Sequence, residues 1–234
     1  MKSAKVKSVK KLTGDERRSA IIKAVQQVFA EKGFDGTTTR ELAVAAGVSE
    51  ALLFKHFPNK EALYSAMQLS CCNERDSDQI QRLKALEPSA STLVLLVHLF
   101  VSRILAVREN DDEEVIQTRL MQRSLTEDGE FVRLFLQGMP AQLNQWMKAC
   151  VAAAIASGDA YDGPVQPGLG CWFTHHLAVM IKTYLLPAKP VLDYGLPREE
   201  IVEQVVWYTL RGMGLKEEAI RRDYNPKALA LFAE

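Results

Sequence analysis

An all-α fold is predicted for this 234-residue chain by three observations. Apolar residues recur at helical spacing in every long segment, helix start and stop residues fall at regular intervals, and no segment alternates with a strand's period of two. The composition suits a globular protein with a sizeable core, at 47% hydrophobic and 25% charged residues. It excludes a disordered chain, a collagen-like repeat and a disulfide scaffold.

The elements follow in order. Thr13 and Glu16 stand at capping-box spacing. Ile21, Ala24, Val25, Val28 and Phe29 then share one helical face, with Gly33 as the stop. A second box, Thr38 with Glu41, opens a helix that ends near Gly47. Ser49 caps a third helix, which Pro58 limits to Phe57, and Asn59 caps a fourth. Four short helices with such regular stops predict a compact unit. From Asn59 to Asp128 there is no glycine and only one proline, Pro88, so long helices broken once are expected. Leu93, Leu96, Val97, Phe100, Ile104 and Val107 keep helical spacing there. The acidic run 111–114 suits a helix N-terminus. A tract from Glu130 to Ser157 should kink or divide at Gly138 and Pro140. Loops rich in Gly and Pro at 158–170 and 187–197 frame an apolar helix over 171–186, and a last helix covers 198–213.

The net charge is zero, but it is unevenly spread. Residues 1–72 hold 12 Lys+Arg against 7 Asp+Glu, while residues 73–234 hold 17 against 22. The basic first third is the candidate for a polyanion. Residues 1–12 carry five lysines with neither an apolar run nor a cleavage site, so they read as a flexible basic arm. The longest apolar stretch, 92–107, is interrupted by His98, Ser102 and Arg103 and falls short of the ~20 residues of a membrane span. The expectation is a cytoplasmic protein with no membrane partner. Its four cysteines, Cys71, Cys72, Cys150 and Cys171, read as reduced thiols without zinc spacing.

Residues 39–57 meet the demands of a helix-turn-helix. Ala43 is small enough for two helices to cross closely, and Gly47 permits the turn. Val48, Leu53 and Phe57 supply apolar anchors. Ser49 caps the second helix, whose first turn then offers free N–H groups of the kind presented to a major groove.

The stretch 38–63 combines Ala-Gly-Val-Ser, an aromatic at Phe54, His56-Phe57 and Lys60-Glu61-x-Leu63. Over about residues 15–67 it resembles the DNA-binding domain of the tetracycline-repressor (TetR/AcrR) family. The resemblance implies that Ser49, Glu50, Ala51, Leu52 and Lys55 face bases. Thr38, Thr39 and Arg40 would meet phosphates, and His56 and Lys60 would clamp the backbone on the other side. Phe54 stands where the family usually has tyrosine, so a phenolic phosphate contact is lost from that DNA-facing position. Leu52 would meet a thymine methyl, and Glu50 must accept from cytosine or pair with a neighbour.

With the flexible basic arm at 1–12, the resemblance further implies a helix-turn-helix domain at 13–67 and a larger helical domain at 68–234. That domain would bind a small, partly apolar effector and form a homodimer through the last two long helices. Phe100, Arg103, Met121, Phe135, Trp146, Trp172 and His176 are its candidate ligand contacts, with Phe173, His175 and Tyr184 nearby. The neighbouring His175 and His176 point about 100° apart on a helix and make a poor metal pair; no metal and no other cofactor is expected. The predicted role is a regulator of transcription, a repressor released from a palindromic operator on double-stranded DNA by its effector. No nucleophile elbow, phosphate loop, H-E-x-x-H or dinucleotide fingerprint is present, so no enzyme is expected. The alternatives are a TetR-like protein acting mainly through a protein partner, and a helical-bundle enzyme.

Overall fold

The computed structural model describes residues 12–73, 83, 85–106 and 112–230. Residues 1–11 of the basic arm, Val107, Asp111 and the side chains of Cys71 and Cys72 lie outside that description. Twelve helices form among the described residues: α1 (Gly14–Lys32), α2 (Thr39–Ala45), α3 (Glu50–His56), α4 (Lys60–Asn73), α5 (Ala90–Leu105), α6 (Asp112–Thr126), α7 (Glu130–Gln137), α8 (Met139–Ala156), α9 (Pro167–Leu185), α10 (Arg198–Gly212), α11 (Glu217–Asp223) and α12 (Pro226–Ala230). The chain divides into two compact units, one from 1–74 and 116–134, the other from 75–115 and 135–234.

In the first unit α1 packs on α2 and α4, and α2 on α3. The predicted caps are present. Thr13 with Glu16 and Thr38 with Glu41 form complete capping boxes, and the Ser49 hydroxyl accepts from the Leu52 N–H at 3.2 Å. The Asn59 carboxamide accepts from the Ala62 N–H at 2.8 Å. Ile21, Val25, Phe29, Leu42, Leu53, Phe57, Leu63 and Met67 form the core, which Leu120 of α6 and Phe131 of α7 complete. Each such side chain contributes roughly 1.5–3 kcal/mol by leaving water.

The second unit is built around α5, against which α8, α9, α10, α11 and α12 pack. Residues 93–97 of α5 are buried without interruption, as they must be in a helix surrounded on all sides. Gly138 and Pro140 divide α7 from α8 as expected, with Pro140 in the first turn. Two expectations are corrected. Helix α9 starts at Pro167, not at Cys171, because a proline at the first helical position suits a helix start despite the glycines that follow. Helices α11 and α12 follow the last predicted helix; at seven and five residues they are too short to show a period. Among the described residues no strand forms. One isolated bridge joins Ala160 to Leu215, where the Tyr161 N–H donates to the Gly214 carbonyl at 2.8 Å. Beside it Arg222 pairs with Asp159 at 3.0 Å. No helix among the described residues is long and apolar enough to cross a membrane.

Candidate nucleic-acid interface

The turn between α2 and α3 is built by backbone geometry. Gly47 has φ +63°, and the Val48 and Gly47 N–H groups donate to the carbonyls of Ala43 and Val44, each at 3.0 Å. This is a Schellman stop, and the left-handed residue it needs is the reason for glycine. The chain then leaves Ser49 extended, at φ −76° and ψ 153°, to cap α3. Leu53 and Phe57 are buried, so the helix is anchored on one side only. Ser49, Glu50, Ala51, Phe54 and Lys55 are exposed, and Leu52 and His56 are half-buried. Thr38 and Arg40 are exposed at the start of α2, with Thr39 half-buried between them.

Three polar contacts fix this surface. Glu41 closes the box on Thr38 and pairs with Lys32; the Lys32 bond and the Thr38 bonds hold its carboxyl down to about 2. The Lys60 ammonium donates to the carbonyls of Phe34 (2.8 Å) and Thr37 (3.0 Å) and lies 4.2 Å over the Phe34 ring. Glu50 accepts from the Thr39 hydroxyl at 3.0 Å, so its carboxylate pairs with a neighbour. Sequence reasoning missed Arg18. Its guanidinium donates to the His56 carbonyl at 2.7 Å and covers the Phe57 ring at 4.2 Å, closing the C-terminus of α3 from α1. The only signal was a basic residue on the polar face of α1.

Residues 21–67, which hold this arrangement, match the family model described as bacterial regulatory proteins, tetR family. Over these residues the chain is similar to the tetR family. Over 51 residues the chain is 43% identical to the HTH-type transcriptional regulator RutR of Escherichia coli, covering 22% of this chain and 24% of RutR. The chain spans only about a quarter of the length of the curated relatives it matches. Likeness in fold extends further. The structure of native NalD, the secondary repressor of the MexAB-OprM multidrug efflux pump in Pseudomonas aeruginosa, is similar with a TM-score of 0.62 and 22% identity, covering 88% of this chain and all of NalD. AibR in complex with isovaleryl coenzyme A and operator DNA is similar at 0.60 and 21% identity, covering 82% of this chain and 97% of AibR.

In the second unit the candidate ligand contacts gather only in part. Phe100 stacks on His175 with ring centroids 6.0 Å apart, and Trp172 meets His175 at 5.9 Å and His176 at 6.5 Å. The His175 Nδ1 is buried without a hydrogen-bond partner. Burial first, and then the neighbouring His176, lower its pKa to about 4. Trp146 packs on the same apolar core, Phe135 is half-buried on α7, and Arg103 and His176 are exposed. Met121 packs instead on the core of the first unit. Cys150 and Cys171 are buried free thiols; burial raises both and pushes Cys171 up to about 12, which leaves them unreactive. No cluster of three or more metal-ligating side chains occurs among the described residues.

Proposed function

We propose that this chain is a cytoplasmic, dimeric regulator of transcription that binds a palindromic operator and represses until a small, partly apolar molecule releases it. The observation that carries the reading is α3, a helix anchored through Leu53 and Phe57 whose capped first turn is exposed. In this reading Ser49, Glu50, Ala51, Leu52, Phe54 and Lys55 face the major groove. Thr38, Thr39, Arg40, His56 and Lys60 meet the phosphate backbone. Repression follows the description of NalD, and a ligand with an acyl portion follows that of AibR. The output is binding, not catalysis.

Dimerisation is supported by one face of α9. Leu169, Phe173, Met180 and Tyr184 recur at i, i+4, i+11 and i+15 and are 38–51% exposed, with His176 among them. Tyr208 of α10 is 71% exposed as well. Burying this stripe against its own copy makes a twofold dimer, which gives two recognition helices one symmetric site. The second unit serves as the effector and dimer domain, with Phe100, Trp146, Trp172 and His176 as ligand contacts. The effector acts by favouring a spacing of the two α3 helices that no longer fits successive major grooves, about 34–36 Å apart.

Selection from random-sequence duplex DNA with purified protein at near-physiological salt tests the reading. Enrichment of an inverted repeat is expected; none from folded protein overturns it. Arg40→Ala should then weaken all duplexes alike and reduce the salt slope by about two for a dimer. A changed sequence preference at an unchanged slope would remove Arg40 from the phosphate contacts.

A further inference from the structure

The two acids of the helix-turn-helix are held differently. Glu41 is neutralised by the Lys32 ammonium. Glu50, exposed at the first position of α3, has the neutral Thr39 hydroxyl as its partner and no cationic partner among the described residues. Its full charge therefore stands on the surface assigned above to DNA. The Thr39 hydroxyl carries one proton. It donates to Glu50 at 3.0 Å, and it cannot donate to a phosphate at the same time.

Resting on the DNA-binding reading, we propose that Glu50 determines specificity by competing with the phosphate backbone for Thr39. In the free protein Glu50 holds the Thr39 hydroxyl. At the operator the hydroxyl passes to a phosphate, and Glu50 accepts instead from the exocyclic amine of a cytosine in the major groove. On any other duplex no amine takes that place. Either Thr39 stays with Glu50 and the phosphate contact is lost, or Glu50 is left unpaired facing a polyanion. Glu50 thus weakens non-specific binding, and it gives the protein a preference at one base position that is repeated by the dyad.

The experiment compares Glu50→Gln, Thr39→Val and the double variant with the wild type. The probes are the operator recovered by selection and a random-sequence duplex of the same length, at one salt concentration. Gln keeps the size of the side chain and its helix preference, and circular dichroism confirms the fold. A carboxylate about 4 Å from a phosphate across water costs about fivefold in affinity per recognition helix. Glu50→Gln should therefore tighten the random duplex by roughly 25-fold in a two-helix complex while the operator gains less than threefold. Preference for cytosine at one symmetric position should fall. In the Thr39→Val background the gain on the random duplex should shrink, because no hydroxyl is left to release.

Equal tightening of both duplexes would overturn the proposal, since it would leave only general repulsion. An unchanged random duplex with a weakened operator would also overturn it, leaving Glu50 a base reader without competition. Full additivity of the two substitutions would remove the coupling through Thr39. Wild-type protein that prefers no duplex would instead overturn the DNA-binding reading on which the proposal rests.

Discussion

The two units bury apolar side chains alike but use their polar groups differently. In the first, polar side chains close the ends of short helices: two capping boxes, the Ser49 cap, Arg18 on the end of α3 and Lys60 on two carbonyls. In the second, Asn144, Thr174 and Thr209 bond to backbone carbonyls, but other polar atoms are sealed inside without partners. Of the four buried orphan atoms among the described residues, His98 Nδ1, His175 Nδ1 and Tyr224 Oη lie there, and only Gln68 Nε2 lies in the first unit. An unmet buried polar group costs about 1–3 kcal/mol. Satisfied ends hold the exposed surface of α3 in one geometry, whereas the second unit leaves three buried polar atoms open to a new partner.

The largest test asks whether the units are energetically separate. Phe29 is fully buried, with Tyr64 edge-on at 4.9 Å and Phe34 stacked at 6.4 Å. Phe29→Ala should cost the first unit about 3–5 kcal/mol. The chain's three tryptophans, Trp146, Trp172 and Trp207, all lie in the second unit, so their fluorescence reports on it alone. In urea the helical signal of the first unit and DNA binding should be lost early while the tryptophan transition stays in place. An equal shift of both transitions would break the comparison, because the units would then unfold as one.

What was legible in the sequence is what depends on near neighbours. A capping box spans three residues, so Thr13 with Glu16 and Thr38 with Glu41 could be read directly. Gly138 with Pro140 acts on its own helix, and the break was visible for the same reason. The exposed residues of α3 followed from its apolar anchors. What could not be read joins distant positions. Arg18 reaches the His56 carbonyl 38 residues away, and Arg123 donates to the Glu31 carbonyl at 3.0 Å across 92 residues. Leu120 and Phe131 carry helical spacing but no mark that they complete the core of Phe29 and Phe57. In the ligand candidates, apolar character was readable, but it did not separate Met121, on the first unit's core, from Phe100 and Trp172 beside His175.

The same glycine device stands in both units and allows a direct comparison. Gly47 has φ +63° and nothing within 4 Å of where a Cβ would sit. Gly214 has φ +92°, and a Cβ there would stand 2.8 Å from the Tyr161 carbonyl oxygen, at the bridge between the α8–α9 and α10–α11 loops. Gly214→Ala therefore adds a collision with backbone to the left-handed strain and should cost about 3 kcal/mol. Gly47→Ala should cost about 1–2 kcal/mol from strain alone, and Gly47→Asn less, since asparagine tolerates the left-handed region. Urea midpoints check both. Equal costs would mean that the second unit's loop yields to the added methyl, and the packing contrast at these turns would disappear.

The smallest expected effect concerns the orphaned imidazole of His175. Phe100 and Trp172 lie against it, and burial together with His176 lowers its pKa from 6.5 to about 4. The unfolded chain then accepts a proton that the folded chain refuses. Stability from this group is whole above about pH 6.5, declines as the pH falls through that value, and stops declining near 4, where the folded imidazole also takes the proton. Allowing for its partial exposure, the second unit should lose on the order of 1 kcal/mol between about pH 7.5 and about pH 5. His98 is also lowered by burial and contributes in the same direction, so the decisive quantity is a difference. His175→Phe keeps the ring contacts and has no proton to refuse. Its urea midpoint, followed by tryptophan fluorescence, should fall less with acid than that of the wild type. If the two fall together, His175 is protonated in the folded protein. His175 would then no longer count among the unmet groups, and the contrast between the units would rest on His98 and Tyr224 alone.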